Sequence, residues 1–170
     1  MKHLKFSICL ETQKNNDFVE KLYDEVFGEN RKDRTVYKFR TGEKVKDLCF
    51  VIKNTDTDIF ACIRYWFIKI GLVNGLLLGP LAVRNNMRGY GLGSMLIKHS
   101  TKVANEKKFN FCFVSGEADL YPRFGFKKIN DKDLILPGYI DPNRLHILYF
   151  KKLIEKEMGK SPWIVKSSIK

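Results

Sequence analysis

The chain has 170 residues, 44% of them apolar, which is enough for one globular domain with a hydrophobic core. Its 31 basic and 19 acidic residues give a formal net charge of +12, which favours acidic ligands but does not specify a fold. No apolar run is long enough to span a membrane, and the first residues lack the pattern of a signal peptide, so we expect a cytoplasmic protein without membrane association.

The four cysteines each lie in an apolar, strand-like segment, and none of them shares a C-x-x-C spacing. This pattern predicts free, buried thiols rather than disulfides, and we expect no bound metal. The cysteines are Cys9, Cys49, Cys62 and Cys112.

The first half of the chain predicts a strand, a helix and then two further strands. Residues 4–10 alternate between polar and apolar, which indicates a strand. Asn16 or Asp17 is predicted to cap a helix with one apolar face that ends near Gly28. The charge-dense residues 29–40 indicate either a short helix or a loop with a basic face, and strands are predicted at 48–53 and 59–70.

The apolar run Leu76–Val83 predicts a strand that is buried on both faces. Gly79 and Pro80 interrupt it, and proline cannot donate a hydrogen bond to a neighbouring strand. We therefore expect a bulge or a splayed strand that leaves main-chain groups unpaired. A helix at 92–107 and a strand at 109–114 then predict a β-α-β unit with a right-handed crossover.

Three glycines, Gly89, Gly91 and Gly93, stand at the start of the predicted helix. Glycines allow a tight turn and a close approach of the main chain, and free N–H groups at a helix start bind phosphate. A glycine-rich turn without a ligand is the alternative. The spacing is G-x-G-x-G, without the lysine of a phosphate loop, which argues against both common nucleotide-binding patterns.

Two segments together carry a resemblance to a known family. Arg88–Gly93 matches R-x-x-G-x-G and follows Leu81–Val83, which resembles the coenzyme A pyrophosphate loop of the GNAT superfamily of N-acetyltransferases. Residues 118–126, Ala-Asp-Leu-Tyr-Pro-Arg-Phe-Gly-Phe, resemble the second signature of that superfamily. The likeness extends over about residues 5–150 and is greatest to a subgroup of bacterial predicted acetyltransferases, with its LLLGPLAV, RGYGLG and LYPRFGF motifs.

This resemblance implies an α/β (α+β) fold with a single GNAT-like domain at residues 1–150 and a last strand at 145–150. We expect a mixed, mainly antiparallel sheet of six or seven strands with helices on both faces. The cofactor slot would lie between the strands that end at Val83 and Val114. Residues 151–170 would form a basic C-terminal tail of unknown role.

The resemblance also implies an acyltransferase that moves an acetyl group from acetyl-CoA to a primary amine by direct attack in a ternary complex. Main-chain groups of the interrupted strand would pair with the pantetheine arm and provide an N–H for the developing oxyanion. The cofactor-binding residues expected from the motif are Leu81, Ala82, Val83, Arg88, Gly89, Tyr90, Gly91, Leu92, Gly93 and Ser94.

Tyr121 matches the tyrosine of the family that hydrogen-bonds or protonates the leaving thiolate. The general base is less defined, because no residue matches a fixed base of the family. Glu117 is our candidate, and Asp119, His146 or an ordered chain of water molecules are alternatives. His99 lies on the apolar face of its helix and is predicted to be a core residue. Ser115 stands where many family members have asparagine.

Nothing in the sequence identifies the acceptor, which we expect to be a small-molecule amine or a peptide amine. The high positive charge keeps open a basic GNAT-fold module that binds or acetylates tRNA or ribosomal components. A CoA-binding protein without activity is a third hypothesis. We expect a monomer or a homodimer.

Overall fold

A mixed β-sheet with helices on both faces forms the body of the protein in the computed structural model, which describes residues 6–168. The helices are α1 (Asn16–Phe27), α2 (Leu92–Glu106) and α3 (Ile154–Glu157). The strands are β1 (Ile8–Leu10), β2 (Phe50–Lys53), β3 (Ile59–Ile70), β4 (Val73–Val83), β5 (Phe111–Ser115), β6 (Lys127–Lys128), β7 (Leu134–Ile135), β8 (Leu145–Tyr149) and β9 (Trp163–Ser167).

The strands follow the order β1-β2-β3-β4-β5-β8-β6, and β9 pairs with both β3 and β7. Among the described residues, only the β4–β5 and β7–β9 pairs are parallel. The expected mixed, mainly antiparallel sheet is therefore confirmed, with more strands than the six or seven predicted. Two of the strands, β6 and β7, have only two residues each and are too short to produce an alternating pattern.

Strand β3 shows why helices cover both faces of the sheet. Its side chains alternate between the faces, as in any strand. Ala61 and Ile63 belong to the core beneath α2, whereas Cys62 belongs to the core beneath α1. The predicted helix is confirmed as α1, which ends before Gly28, but its N-cap is Asn15 rather than the predicted Asn16 or Asp17.

The predicted irregularity in β4 is also confirmed. The register between β3 and β4 shifts between Ile63 and Tyr65, so that Gly79 and Pro80 lie opposite the single residue Arg64. This bulge sits in the middle of the sheet, where the two strands are otherwise continuously paired. The pairing of β4 with β3 resumes at residue 81.

The C-terminal segment contributes to the sheet. Strand β9 pairs with the end of β3 at Ile68–Ile70, and the side chains of Trp163 and Val165 are buried. The strand predicted at residues 145–150 is therefore present as β8 but is not the last strand. The sequence does not predict β9 because its short apolar run lies within a lysine-rich segment.

The four cysteines are free thiols, as predicted, and Cys9 is the one that is only half-buried. None of the helices within residues 6–168 combines the length and the apolar character needed to cross a bilayer. The same residues contain no group of three His, Cys, Asp or Glu side chains arranged to hold a metal ion. Residues 4 and 5, predicted to begin the first strand, lie outside the described residues.

Candidate functional site

Strands β4 and β5 separate soon after they meet. They pair at Leu76–Cys112 and Leu77–Phe113, and no further pairing between them exists among the described residues. Residues Leu81–Val83 remain paired with β3 on their other side. The edge of β4 that faces β5 is therefore open from Gly79 to Val83, at the place predicted for the cofactor slot.

Two aromatic side chains hold the carbonyl groups of the bulge in place. Trp66 Nε1 donates a hydrogen bond to the Gly79 carbonyl oxygen at 2.9 Å, and the Tyr23 hydroxyl donates to the Pro80 carbonyl oxygen at 2.9 Å. Burial raises the pKa of Tyr23 well above its usual value, which keeps this donor protonated. The bulge is thus fixed by contacts that the sequence does not predict.

The glycine turn leads directly into the N-terminus of α2. Gly89 and Gly91 have φ angles of +85° and +74°, and a Cβ added at either position would point into open space. Gly91 is the N-cap of α2 and provides no side-chain cap, so the first N–H groups of the helix lack intrahelical partners. A Cβ on Gly93 would lie 3.5 Å from Val83 Cγ2 and 3.9 Å from Leu81 Cδ2. The helix start therefore packs against the open part of β4.

The remaining residues predicted to bind the cofactor are distributed around this turn. Arg88, Tyr90 and Ser94 are exposed, and no ion-pair partner for Arg88 exists within residues 6–168. The side chains of Ala82 and Leu92 are buried in the cores on opposite faces of the sheet. Only the main chain of these last two residues can face a ligand.

A cavity of about 440 Å³ lies between the separated strands. It is within the usual size range of a small-molecule pocket. Leu81 lines the cavity, and its Cδ2 atom lies 3.9 Å from the position of a Cβ on Gly93, so the glycine turn adjoins a residue of the cavity wall. The polar residues of its lining are Arg34, Thr35, Tyr37, Arg40, Ser115, Glu117, Tyr121, Tyr139, Asp141 and Arg144.

Tyr121 is buried in the wall of this cavity, with 5% of its surface exposed. Its ring meets Phe126 edge to face at 5.4 Å between centroids, and a Cβ on Gly116 would lie 1.9 Å from Tyr121 Cε2. Glycine is therefore required at position 116 for the observed placement of the ring. The Tyr121 hydroxyl makes no hydrogen bond within the described part of the chain.

Burial raises the pKa of Tyr121, and the neighbouring Cys112 and Glu117 raise it further, whereas Arg144 and Arg40 oppose the shift. The hydroxyl consequently stays protonated around neutral pH. It is a hydrogen-bond donor that faces a mixture of acidic and basic side chains.

The structure separates the candidates for the general base. Glu117 is exposed and lines the cavity, whereas Asp119 is exposed but does not line it. His146 is buried, with its Nδ1 atom 3.2 Å from the Arg144 carbonyl oxygen, and is absent from the cavity wall. His99 packs edge to face on Phe50 at 4.7 Å, as expected of a core residue.

Ser115 is half-buried and lines the cavity beside Glu117. Asp141 is a second carboxylate in the lining that sequence reasoning missed. One of its oxygens, Oδ1, accepts a hydrogen bond from the Asn143 main-chain N–H at 2.9 Å, which caps a short turn. Glu117 therefore stays our prediction for the base.

Arg40 is the most unusual residue of the cavity, and sequence reasoning did not single it out. Its guanidinium stacks on the ring of Tyr37 at 4.1 Å. Burial lowers the pKa of Arg40 to about 10, although the neighbouring tyrosines Tyr37 and Tyr23 oppose this shift. The basic face predicted for residues 29–40 was the available signal, but these residues form two 3-10 turns whose inward positions cannot be read from helical periodicity.

Comparisons with known proteins agree with this geometry. A family model described as an acetyltransferase (GNAT) domain matches residues 46–128. None of the curated proteins to which the sequence was compared is a match.

Solved structures with the same fold cover most of the chain. A GNAT family N-acetyltransferase (YhbS) from Escherichia coli in complex with CoA shares 19% identity with a TM-score of 0.77, covering 99% of this chain and 92% of that one. A GNAT family acetyltransferase from Brucella melitensis in complex with acetyl-CoA shares 22% identity with a TM-score of 0.64, covering 88% and 90%. Arylalkylamine N-acetyltransferase 2 from Aedes aegypti shares 14% identity with a TM-score of 0.59, covering 86% and 100%.

Proposed function

From the premise that the chain carries a GNAT acetyltransferase domain on a GNAT fold, we propose that it is an acetyl-CoA-dependent N-acetyltransferase acting on a primary amine. The observation that carries this proposal is the arrangement of the uncapped start of α2, the open edge of β4 and the cavity lined by Tyr121, with Leu81 adjoining all three. The relatives from Escherichia coli and Brucella melitensis were solved with CoA and acetyl-CoA, which supports the same ligand here.

The described residues offer partners to three parts of such a ligand. The N–H groups at the start of α2 and the positive end of its dipole suit the pyrophosphate, and Arg88 adds a free positive charge. The open edge of Leu81–Val83 offers main-chain groups to the amides of the pantetheine arm. The cavity beyond it has room for the acetyl group and a small acceptor.

We assign the individual steps of acetyl transfer to residues around the cavity. When bound, acetyl-CoA would supply the acetyl group as a reactive thioester. Glu117 would accept the proton that the ammonium group of the acceptor has to lose, directly or through water. A main-chain N–H of Leu81–Val83 would donate to the acyl oxygen as negative charge develops there. The Tyr121 hydroxyl would donate to the leaving sulfur.

The raised pKa of Tyr121 sharpens this last role. An unperturbed phenol, with a pKa near 10, is already a weaker acid than a thiol with a pKa of about 8.5. Burial, Cys112 and Glu117 move the pKa of Tyr121 further upward. We therefore assign Tyr121 the role of a strong hydrogen-bond donor to the sulfur rather than that of a full proton donor.

Isothermal titration with acetyl-CoA tests the groove. We expect the wild type to bind and Gly91→Trp to lose at least about tenfold in affinity, because the indole would fill the open space in front of the turn. Gly42→Trp is the matched control. Gly42 has the same φ angle of +74° and the same open space around an added Cβ, and it lies outside the cavity lining. Absence of binding to the wild type, or equal affinity of the two variants, would reject the pyrophosphate assignment.

Release of free thiol from acetyl-CoA then tests the transfer itself. The assay uses a panel of small amines, amino acids, peptides with free N-termini and lysine peptides, with mass detection of the acetylated product. Amine-dependent thiol release with a matching product is expected. A protein that binds acetyl-CoA but releases no thiol with any amine would be a CoA-binding protein rather than an acetyltransferase.

A further inference from the structure

The side chain of Arg40 is half-buried, and its guanidinium has two buried nitrogens and no counter-ion. Within residues 6–168, two buried side-chain nitrogen or oxygen atoms have no hydrogen-bond partner, and both are in this residue, namely Nε and Nη1. No carboxylate of the described residues lies within ion-pair distance of Arg40. The ring of Tyr37, which stacks on the guanidinium, offers partial compensation.

Such an arrangement is costly, because a buried charge is normally paired and hydrogen-bonded. The lowered pKa of Arg40 is a sign of this cost, but the group is still charged at neutral pH. An unpaired cation at such a position contributes little to the stability of the fold. Nε and Nη1 are closed to solvent, whereas Nη2 is not among the buried atoms and has no hydrogen-bond partner in the described residues, so a partner from outside the protein would bind at Nη2.

The position of Arg40 indicates where that partner lies. The side chain lines the same cavity as Tyr121 and Glu117 and is close enough to Tyr121 to act on its pKa. Its Nη2 atom occupies the space next to Gly79, where an added Cβ would lie only 2.8 Å away. Glycine at position 79 thus makes room for a guanidinium at the bulge, beside the open edge of β4.

We propose that Arg40 binds a carboxylate of the acceptor, so that the acceptor is an amine that also carries a carboxylate, such as an amino acid. This inference rests on the proposed function and names the substrate class for the same site. The open Nη2 atom carries two N–H groups, which can donate charge-assisted hydrogen bonds to a carboxylate. Glu117, on the same cavity wall, is available to the ammonium end of such a molecule.

The charges of the cavity agree with a single carboxylate. Three arginines line it, Arg34, Arg40 and Arg144, against the two acids Glu117 and Asp141. Arg34 and Arg144 are exposed, and Arg34 donates a hydrogen bond to the Phe27 carbonyl oxygen at 3.1 Å. The net charge of the lining is therefore about +1, which one carboxylate neutralises while the amine end faces an acid.

Matched pairs of compounds test the proposal: L-amino acids against the amines that lack only the carboxylate, for example L-phenylalanine against 2-phenylethylamine and L-leucine against 3-methylbutylamine. We expect the wild type to acetylate the carboxylate member of at least one pair with the higher kcat/KM. Arg40→Met should lower that kcat/KM by at least about 30-fold and leave the decarboxylated amine nearly unchanged, because the lost contact is a charged one. Arg40→Lys should recover part of the loss by restoring the charge without the planar donor pair.

Arg123→Met is the matched control, because Arg123 is exposed and absent from the cavity lining, so this variant loses the same charge elsewhere. Titration of the same compounds into the CoA complex provides a readout that does not depend on turnover.

Equal losses for both members of every pair, or no carboxylate-dependent binding to the wild type, would overturn the proposal even if acetyl-CoA binds. If Arg40 instead caused a preference for O-phosphoethanolamine, the group bound by Arg40 would be a phosphate, and the carboxylate proposal would be wrong. Failure of the proposed function itself would be seen separately, because the wild type would then not bind acetyl-CoA.

Discussion

Two arginines of this protein, the buried Arg64 and the half-buried Arg40, have opposite environments. Arg64, with 4% of its side chain exposed, lies between α1 and the sheet and pairs with Glu11 at 2.6 Å and with Glu20. Burial alone would lower the pKa of Arg64, but the hydrogen bonds with these acids raise it overall. Arg40, in the cavity, has no acidic partner among the described residues, and its pKa is lowered.

The buried tyrosines show the same contrast. The Tyr65 hydroxyl lies 2.7 Å from Ser100 Oγ, and the Tyr23 hydroxyl donates to the Pro80 carbonyl oxygen. The Tyr121 hydroxyl has no protein partner in the part of the chain that the structure describes. Polar groups with protein partners stabilise this fold, whereas Arg40 and Tyr121, which lack such partners, line the cavity, where a ligand could provide them. Substitutions on the two sides of this division should separate stability from activity.

The largest expected effect is on stability, at the paired arginine. Arg64→Met removes the cation that Glu11 and Glu20 share, which leaves Glu11 paired with Lys44 alone. We expect a loss of about 3 kcal/mol in the free energy of unfolding, because the Glu11 carboxylate is fully buried. Arg40→Met removes an unpaired charge and should change that free energy by less than about 1 kcal/mol. Urea denaturation of both variants measures the difference. Equal destabilisation would show that Arg40 is a structural residue after all.

The tyrosines provide the reverse test in turnover. Tyr121→Phe should lower kcat by about 10²-fold, because a donor to the leaving group is lost, and should change the affinity for acetyl-CoA little. Tyr65→Phe should leave kcat unchanged but cost about 1 kcal/mol of stability through its lost hydrogen bond to Ser100. Unaltered turnover of Tyr121→Phe would remove Tyr121 from the mechanism.

This division also explains which parts of the molecule the sequence predicts. The bulge and the glycine turn depend on the main chain, and Pro80 and Gly91 mark them because these residue types have special backbone properties. The part of the candidate site that we propose for the cofactor can therefore be predicted from a single sequence. Tyr121 was found through its motif rather than through its environment.

The acceptor half depends on side chains that meet only in three dimensions. Arg40 and Glu117 are far apart in sequence, and neither belongs to a regular helix or strand whose period would assign it to a face. The partners of Arg64 are equally distant, since Glu11 lies 53 residues away. Whether a buried arginine is paired or unpaired is therefore invisible until the chain has folded.

A smaller effect is expected at Gly116, which leaves room for the ring of Tyr121. An added methyl group would overlap the ring of Tyr121, so Gly116→Ala should displace the hydroxyl and lower kcat by about tenfold. The same change in a Tyr121→Phe background should have almost no further effect on kcat, because the hydroxyl is already gone. Independent losses that add up in the double variant would mean that Gly116 acts on something other than Tyr121.

The smallest effect that we predict is a pH dependence of stability at the paired cluster. The pKa of Glu20 is lowered from its usual 4.5: burial would raise it, but the hydrogen bonds from Arg31 and Arg64 lower it more strongly. A carboxyl group whose pKa is lower in the folded than in the unfolded state stabilises the fold above the unfolded pKa and loses this contribution as the pH falls through the folded pKa. Stability should therefore decrease as the pH falls below about 4.5.

In Glu20→Gln the decrease should be shallower than in the wild type, whereas Arg40→Met should keep the wild-type slope because Arg40 has no carboxylate partner in the described residues. Urea denaturation at pH 7, 5 and 4 compares the three proteins. If stability fell as little with pH in Arg40→Met as in Glu20→Gln, Arg40 and Arg64 would share one charge network, and the contrast between them would not hold.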